Sequence, residues 1–296
     1  MKELSDNEIR IIGAPPLMPP PPQPPQPRRP RWLWWLVAVG VLLIAVVLWW
    51  CGTTRSGQAT EEVYFDQSTV IDSAARPAVI ASQSGDTLVG VTRCDTVVND
   101  IPMVIYTPHN LHASLHVGEL HESAADTVLM ALQAADLRPD NMQIVSAFVL
   151  RGELLARGTA KQGFCAIIGR EIVLGVDEAT PYFERAMAEG GDFFRQYPLV
   201  ANGKLVENRI KNKAQRRALV ALGDRVVVAV TRSRESLHDF AQALVDIGAT
   251  TAINLVGSRM VTGWINLGDS IVAPDTVPGG GDKAIPQQVN YIVWTK

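Results

Sequence analysis

The densest group of residues able to do chemistry lies between Asp192 and Val200, where the sequence reads Asp-Phe-Phe-Arg-Gln-Tyr-Pro-Leu-Val. Aromatic rings interleaved with Arg195 and Gln196 are typical of a loop that lines a carbohydrate or phosphate pocket. The planar guanidinium of Arg195 could hold an anion through two parallel hydrogen bonds. A loop that crosses the core, with its polar groups bound to neighbouring backbone, is the equal alternative.

A second group is basic and consists of Lys211, Lys213, Arg216 and Arg217. A solvated face is the favoured interpretation of such a run. Arg216 and Arg217 enter a predicted strand, however, and successive side chains of a strand point to opposite faces. One of the two arginines must therefore point toward the interior or a cleft, where it needs an anionic partner or ligand.

Four histidines fall within thirteen residues, at His109, His112, His116 and His121. Imidazole is a common metal ligand, and the alternation of residues 111–117 predicts a strand with His112 and His116 on one face. No cysteine or pair of carboxylates completes a known ligand pattern. Solvated or edge-strand histidines are the favoured interpretation, a surface metal site is the alternative, and we expect neither a metal nor a cofactor.

The chain has three cysteines among 296 residues, too few for a disulfide framework. Cys94 and Cys165 could pair in an oxidising compartment, but sequence does not give the distance between them. Cys165 lies in an apolar run typical of a core strand, so two buried thiols are at least as well supported. No histidine lies near Cys165 in the sequence in an arrangement that would indicate a nucleophilic cysteine.

The average composition excludes several classes of protein. With 47% hydrophobic residues, 19% charged residues and a net charge of -3, the chain is neither a typical nucleic-acid binder nor wholly disordered. The averages conceal a strong asymmetry, because ten of the 19 prolines lie in residues 15–30 and five of the seven tryptophans in residues 32–50.

This asymmetry divides the chain into four predicted segments. Residues 1–31 form a proline-rich tail in polyproline II conformation, a spacer or a ligand for a cytoplasmic partner. Residues 32–50 carry no charge and have tryptophans at both ends, which predicts a transmembrane helix. Residues 51–75 form a tether, and residues 76–296 form a globular domain.

The charges around residues 32–50 predict how the chain is oriented. Three arginines precede this stretch, and only Arg55 follows it closely. The positive-inside rule then places the N-terminus in the cytoplasm and the globular domain outside. None of the ten asparagines lies in a glycosylation sequon, which favours a single-pass protein of the bacterial inner membrane with a periplasmic domain.

The globular part alternates between strand-like and helix-like patterns. Predicted helices begin at Ser123, Pro181 and Ser236, the last two with clear capping signals. Strands are predicted at residues 87–92, 103–106, 143–150, 167–174, 217–221, 225–231, 251–256 and 290–295. The predicted fold class is α+β, a mixed β-sheet with about three packed helices, preceded by a single transmembrane helix.

Three stretches, taken in order, resemble the phosphodiester glycosidase family, which includes the enzyme that removes N-acetylglucosamine from a mannose phosphodiester. They are Phe194–Gly203, Arg216–Leu219 and Gly248–Leu255, within a region of similarity over residues 100–270. Two departures stand out. Val256 occupies the place of an aspartate in the family's Asn-Leu-Asp-Gly-Gly motif, and residues 145–149 replace an Asn-Gly-Gly-Phe-Phe segment.

The resemblance implies a hydrolase that acts on sugar-phosphate or exopolysaccharide linkages of the cell envelope. It implies that substrate is bound by Arg195, Gln196, Arg216 and Asn254, and the carboxylic acid that such cleavage requires would be Asp192 or Glu153. A non-catalytic relative, which binds glycans or acts as a scaffold, is the alternative that the lost motif residues favour.

Overall fold

The computed structural model describes residues 75–81, 87–121, 124–257, 263–273 and 287–296. These residues form eighteen strands and two α-helices. The strands are β1 Ala78–Ala81, β2 Gly90–Val98, β3 Ile101–His109, β4 His112–Val117, β5 Val128–Gln133, β6 Phe148–Leu150, β7 Glu153–Ala156, β8 Gly163–Ile168, β9 Glu171–Val176, β10 Asp192–Gln196, β11 Pro198–Ala201, β12 Lys204–Leu205, β13 Arg217–Leu222, β14 Arg225–Thr231, β15 Ala249–Leu255, β16 Trp264–Asn266, β17 Ile271–Val272 and β18 Asn290–Thr295. The helices are α1 Pro181–Ala188 and α2 Leu237–Asp246.

The strands form three sheets. Sheet A has the order β1-β9-β8-β10-β6-β7, sheet B the order β12-β11-β15-β13-β14-β3-β2, and sheet C the order β17-β16-β5-β18-β4. Every strand pairing in the described residues is antiparallel. Six of these pairings join consecutive strands, for which a short connection requires the antiparallel arrangement: β2–β3, β6–β7, β8–β9, β11–β12, β13–β14 and β16–β17.

One core lies between the three sheets. It includes Phe194 from sheet A, Leu219 from sheet B and Ile292 from sheet C, all fully buried. Helix α1 covers the other face of sheet A through Ala186, and helix α2 covers the other face of sheet B through Phe240 and Leu244. The helices thus close outer faces of sheets rather than forming a layer of their own.

The predicted fold class is wrong in two respects. The described residues contain two α-helices instead of three, and their strands form three antiparallel sheets instead of one mixed sheet. In this part of the chain no helix is long and apolar enough to span a bilayer. The transmembrane helix predicted over residues 32–50 falls outside the described residues, as do the proline-rich tail and most of the tether.

Of the three predicted helices, the one predicted to begin at Ser123 is absent from the described residues. Ser123 lies outside the described residues, and the apolar run that follows forms strand β5, paired with β16 and β18. Leu129 to Ala135 are all buried, so this strand is covered on both faces. A short apolar run of that kind has no period that separates a strand from a buried helix.

The other two helix predictions are confirmed. The Thr180 side chain accepts a hydrogen bond from the Tyr182 N–H at the start of α1, and Ser236 accepts one from Asp239 at the start of α2. The strands predicted over residues 217–221 and 225–231 are confirmed as β13 and β14, which pair as a hairpin around Gly223. The strand predicted over residues 167–174 is instead the end of β8, a turn at Gly169-Arg170, and most of β9.

Candidate functional site

The stretch from Asp192 to Val200 is a pair of buried strands rather than a loop. Strand β10 belongs to sheet A and β11 to sheet B, and only Tyr197 separates them. Because strand side chains alternate, Phe194 and Gln196 face the shared core, whereas Phe193 and Arg195 face the side covered by α1. The predicted ligand residues Arg195 and Gln196 therefore point to opposite faces of one sheet.

The Arg195 guanidinium is directed at backbone carbonyl groups. It donates to the carbonyl oxygens of Asp177 at 2.6 Å, Glu178 at 2.8 Å, Lys161 at 3.2 Å and Gln162 at 3.5 Å. Its side chain is buried, and this burial lowers the pKa of the arginine from its usual value. Arg195 thus ties the start of β8 to the segment that leads into α1.

The Asp192 carboxylate joins two sheets. It accepts hydrogen bonds from the N–H of Leu115 in β4 and the N–H of Arg151 in the β6–β7 turn, both at 2.7 Å. Burial raises the pKa of this carboxyl, while the two backbone N–H groups act in the opposite direction. Glu153, the other predicted acid, is exposed at the start of β7.

Arg216 and Asn254 lie on the face of sheet B that packs against α2. Arg216 donates to the Glu235 carbonyl at 2.8 Å and to both the carbonyl and side-chain oxygens of Asn212. Burial lowers the pKa of Arg216 to about 10. Asn254 is the strand partner of Ala218, and its backbone N–H donates to the Tyr197 carbonyl. These two predicted residues are neighbours on one face, separate from Asp192 and from the Arg195 contacts.

Both Arg216 and Arg217 are buried, so the expectation that at least one points inward is confirmed. Arg217 is 1% exposed, and burial lowers its pKa to about 9. Its guanidinium donates to the carbonyl of Val256 at 3.3 Å. Arg216 thus donates to two backbone carbonyl groups and to the Asn212 side chain, and one of the contacts of Arg217 is with a backbone carbonyl group.

A charged cluster that sequence reasoning missed lies where strands of all three sheets end. Lys161 donates to the Asp136 carboxylate Oδ2 and, at 3.1 Å, to Gln196 Oε1. The Gln196 amide in turn donates to Asp136 Oδ2 at 3.2 Å and to the Ala134 carbonyl at 3.3 Å. The Lys161 ammonium also lies 4.5 Å from the centre of the Tyr197 ring.

The three members of this cluster differ in exposure. Lys161 has 1% of its side chain exposed and Gln196 is fully buried, whereas Asp136 keeps 27% of its side chain exposed. Burial lowers the pKa of Lys161, and the Asp136 charge acts in the opposite direction. Both of these contacts reach Oδ2, so neither Lys161 nor Gln196 occupies the other oxygen of the carboxylate.

Lys161 also lines a small cleft of about 20 Å³, enough for one water molecule. Its other walls include Gln162, Tyr197, Asn208 and Arg209. The Gln162 Oε1 atom is buried and accepts no hydrogen bond from the described residues, an arrangement that costs stability unless a ligand or water supplies a donor. We call these five residues the Lys161 cleft.

The histidines and cysteines take ordinary positions. His109 is hydrogen-bonded to the Thr92 hydroxyl at 2.8 Å, and His112 and His116 lie on edge strand β4. Within the described ranges no group of three or more histidine, cysteine or acidic side chains is placed to hold a metal ion. Cys94 is exposed and Cys165 is buried, and both are free thiols, so the alternative of a disulfide between them is wrong.

Sequence carried a weak signal for the missed cluster. Asp136 and Lys161 each lie within three residues of a strand end, next to long apolar runs. A charge in such a position is informative, but nothing in a single sequence pairs two residues that are 25 apart. The two residues meet because the ends of β5 and β10 lie beside the start of β8 in the fold.

Comparison with known proteins supports the fold alone. Neither a protein-family model nor a curated protein sequence matches the chain. A solved structure of the zebrafish N-acetylglucosamine-1-phosphodiester alpha-N-acetylglucosaminidase catalytic domain, auto-inhibited by its pro-peptide, is similar with a TM-score of 0.51 at 13% identity, over 74% of this chain and 87% of that one. A hypothetical protein from Synechocystis gives a TM-score of 0.47 at 14% identity, over 70% of this chain and 62% of that one. The first likeness shows a phosphodiester-glycosidase-like fold, related at a distance.

Proposed function

We propose that this domain hydrolyses a sugar phosphodiester, and that Asp136 is the carboxylate that acts at the sugar. The observation that carries the proposal is the geometry of Asp136, which is held at one oxygen by Lys161 and Gln196 and partly open to solvent. A fixed, partly exposed carboxylate beside a buried cation is a typical catalytic arrangement. The fold shared with a phosphodiester glycosidase supports the substrate class.

A single carboxylate is sufficient for this chemistry. Asp136 removes a proton from a water molecule, whose oxygen forms a bond to the anomeric carbon of the sugar. The bond from that carbon to the phosphate oxygen breaks, and the phosphate monoester leaves with the electron pair. Because the second pKa of a phosphate monoester is about 6, it departs without a proton. The general acid of ordinary glycosidases is therefore not needed, and neither Asp192 nor Glu153 has to supply it.

Binding without turnover is the second candidate, favoured by a specific feature. Val256 follows Asn254 and Leu255 where the family has an aspartate, and Arg195 and Arg216 are engaged with backbone oxygens. In this case Asp136, Lys161 and the surface beside them would bind a phosphate or sugar without cleaving it. The envelope location and a cytoplasmic partner for residues 1–31 stay predictions.

Turnover of the methyl phosphodiester of N-acetylglucosamine 1-phosphate tests the first candidate. We expect the purified full-length protein to release methyl phosphate, detected by phosphorus NMR. Asp136→Asn is expected to slow this release by about 10²- to 10⁴-fold, because a positioned base typically contributes that much. The matched control is Asp140→Asn, which removes an exposed carboxylate paired with Arg138 on the same segment and should leave the rate unchanged.

A second variant separates catalysis from folding. Asp136→Asn leaves the Lys161 ammonium buried without its partner, which destabilises the fold, whereas Asp136→Asn with Lys161→Met removes both charges. We expect the double variant to regain stability in urea and to stay inactive. Turnover by Asp136→Asn within threefold of the unmodified protein would rule out the assignment. Binding of N-acetylglucosamine 1-phosphate without turnover would select the second candidate, and neither binding nor turnover would reject both.

A further inference from the structure

Among the described residues, strand β2 is the longest strand that lies at the edge of a sheet. Its nine residues pair with β3 in an unbroken register from Gly90 to Val98. The other edge strands, β1, β4, β7, β12 and β17, have two to six residues. An edge strand presents unpaired backbone N–H and C=O groups, and proteins usually blunt such edges with short strands, bulges or prolines. Strand β2 is long and has no bulge or proline, and its two charged residues, Arg93 and Asp95, are opposite in sign.

The middle of β2 is also exposed on both of its faces. Residues 92–95 are all exposed, although strand side chains alternate between faces. Val97 is 68% exposed, and Leu88 and Val89, just before the strand, are 45% and 57% exposed. These are three of the six large apolar side chains that are exposed in the described residues. An apolar, regular and accessible edge is a surface for pairing with another strand.

The sequence of β2 is complementary to itself. Residues 91–97 read Val-Thr-Arg-Cys-Asp-Thr-Val, with Cys94 at the centre of both this segment and the strand. In an antiparallel pair of two copies centred on Cys94, valine faces valine and threonine faces threonine. Arg93 then faces Asp95 of the second copy, twice. Cross-strand pairs of these kinds each contribute about 0.2–1 kcal/mol.

We propose that β2 is a self-association surface, at which two copies of this chain pair antiparallel about a two-fold axis that passes between their Cys94 residues. The occupant is a second copy because the charge pattern of β2 matches its own reverse, with no like charges opposed. Within one chain Asp95 already binds Arg93 at 2.8 Å and Arg232 at 3.1 Å. The second copy extends this surface cluster across the axis and joins the two seven-stranded sheets edge to edge.

The position of Cys94 provides a direct test of the register. Residues directly opposite in an antiparallel pair have Cα atoms about 4.5–5.5 Å apart, which suits a disulfide. In the full-length Cys51→Ser protein, diamide accepts two protons and two electrons from the two Cys94 thiols, and we expect a cross-linked dimer on a non-reducing gel. As the control, Thr96→Cys with Cys94→Ser places the two thiols about 13 Å apart. This control should cross-link at least about tenfold more slowly.

Charge-reversal variants test whether the partner of β2 is a second copy of this chain. In Arg93→Asp homodimers, and likewise in Asp95→Arg homodimers, like charges face each other at both pairs, and cross-linking through Cys94 should slow by about tenfold. In a mixture of the two variants every opposed pair is again opposite in charge. We therefore expect the mixture to form a heterodimer at the original rate, recognised by a tag on one variant.

Three results would overturn the proposal: equal cross-linking at positions 94 and 96, cross-linking through Cys94 that ignores charge reversal, or mixed variants that fail to recover. Val79→Asp on the exposed edge strand β1 serves as a matched surface control. It should leave cross-linking through Cys94 unchanged. Since Arg93 and Asp95 are exposed, circular dichroism of each variant is expected to match that of the unmodified protein.

Discussion

Replacement of Arg195 with alanine is expected to lower the free energy of unfolding by about 3–5 kcal/mol. The side chain is 3% exposed and donates to four carbonyl oxygens, two before β8 and two before α1. Alanine leaves these oxygens buried without a donor, and each unsatisfied buried group costs about 1–3 kcal/mol. The loss of the guanidinium stacked near Phe193, 5.6 Å from the ring centre, adds to this.

Urea unfolding followed by circular dichroism measures the change, and Arg195→Lys is the matched control. Lysine keeps the charge but cannot reach four acceptors spread around a planar fork, so we expect it to recover about half of the loss. An alternative outcome would support the anion clamp predicted from sequence. In that case Arg195→Ala would keep the original urea midpoint and would weaken binding of N-acetylglucosamine 1-phosphate.

Replacement of Asp192 with alanine is expected to cost about 2–4 kcal/mol of unfolding free energy. Two backbone N–H groups, those of Leu115 and Arg151, lose their common acceptor in the interior. The link between sheets A and C through this carboxylate is lost as well. The Asn variant should cost less than the Ala variant, because one amide oxygen can still accept one of the two hydrogen bonds. Hydrolysis of the sugar phosphodiester should persist in both variants while they remain folded.

The pH dependence of stability gives an independent check on Asp192. Its pKa is raised in the folded state by burial, so the folded protein binds a proton more readily than the unfolded chain. The contribution of this group to stability is therefore greatest below the unfolded pKa of about 3.9 and falls as pH rises through the folded value. Relative to Asp192→Asn, the unmodified protein should gain stability when the pH is lowered from 7 toward 4. A difference that grows in the opposite direction would contradict this account.

Local elements were predictable where the local signals are strong. The capping residues Thr180 and Ser236 and the turn at Gly223 mark their elements with short-range chemistry, and the structure follows them. Strand β5 was not predictable, because it is buried on both faces and its apolar run has no period of two. The predicted number of helices was too high because of that single error. The division into three sheets was missed because one mixed sheet was assumed.

The candidate site was only partly predictable, for a different reason. Gln196 was identified from the unusual composition around it, and it does contact the charged cluster. Its partners Asp136 and Lys161 come from segments that no local pattern connects. Arg195 and Asp192 were predicted as site residues because a buried polar residue must have a hydrogen-bonding partner. The sequence does not distinguish a residue whose partner is backbone from one whose partner is a ligand. Only the geometry separates the two cases.

The position of β18 in sheet C has a consequence for how the protein folds while it is synthesised on the ribosome. This strand lies between β4 and β5, and Asn290 bonds to Ala135 across a sequence separation of 155 residues. While the chain is being synthesised, β4 and β5 emerge long before the strand that joins them. Contacts of such long range slow folding, and the open edges attract other chains in the meantime. A chaperone that shields these two strands until β18 has been synthesised would therefore raise the yield of native protein.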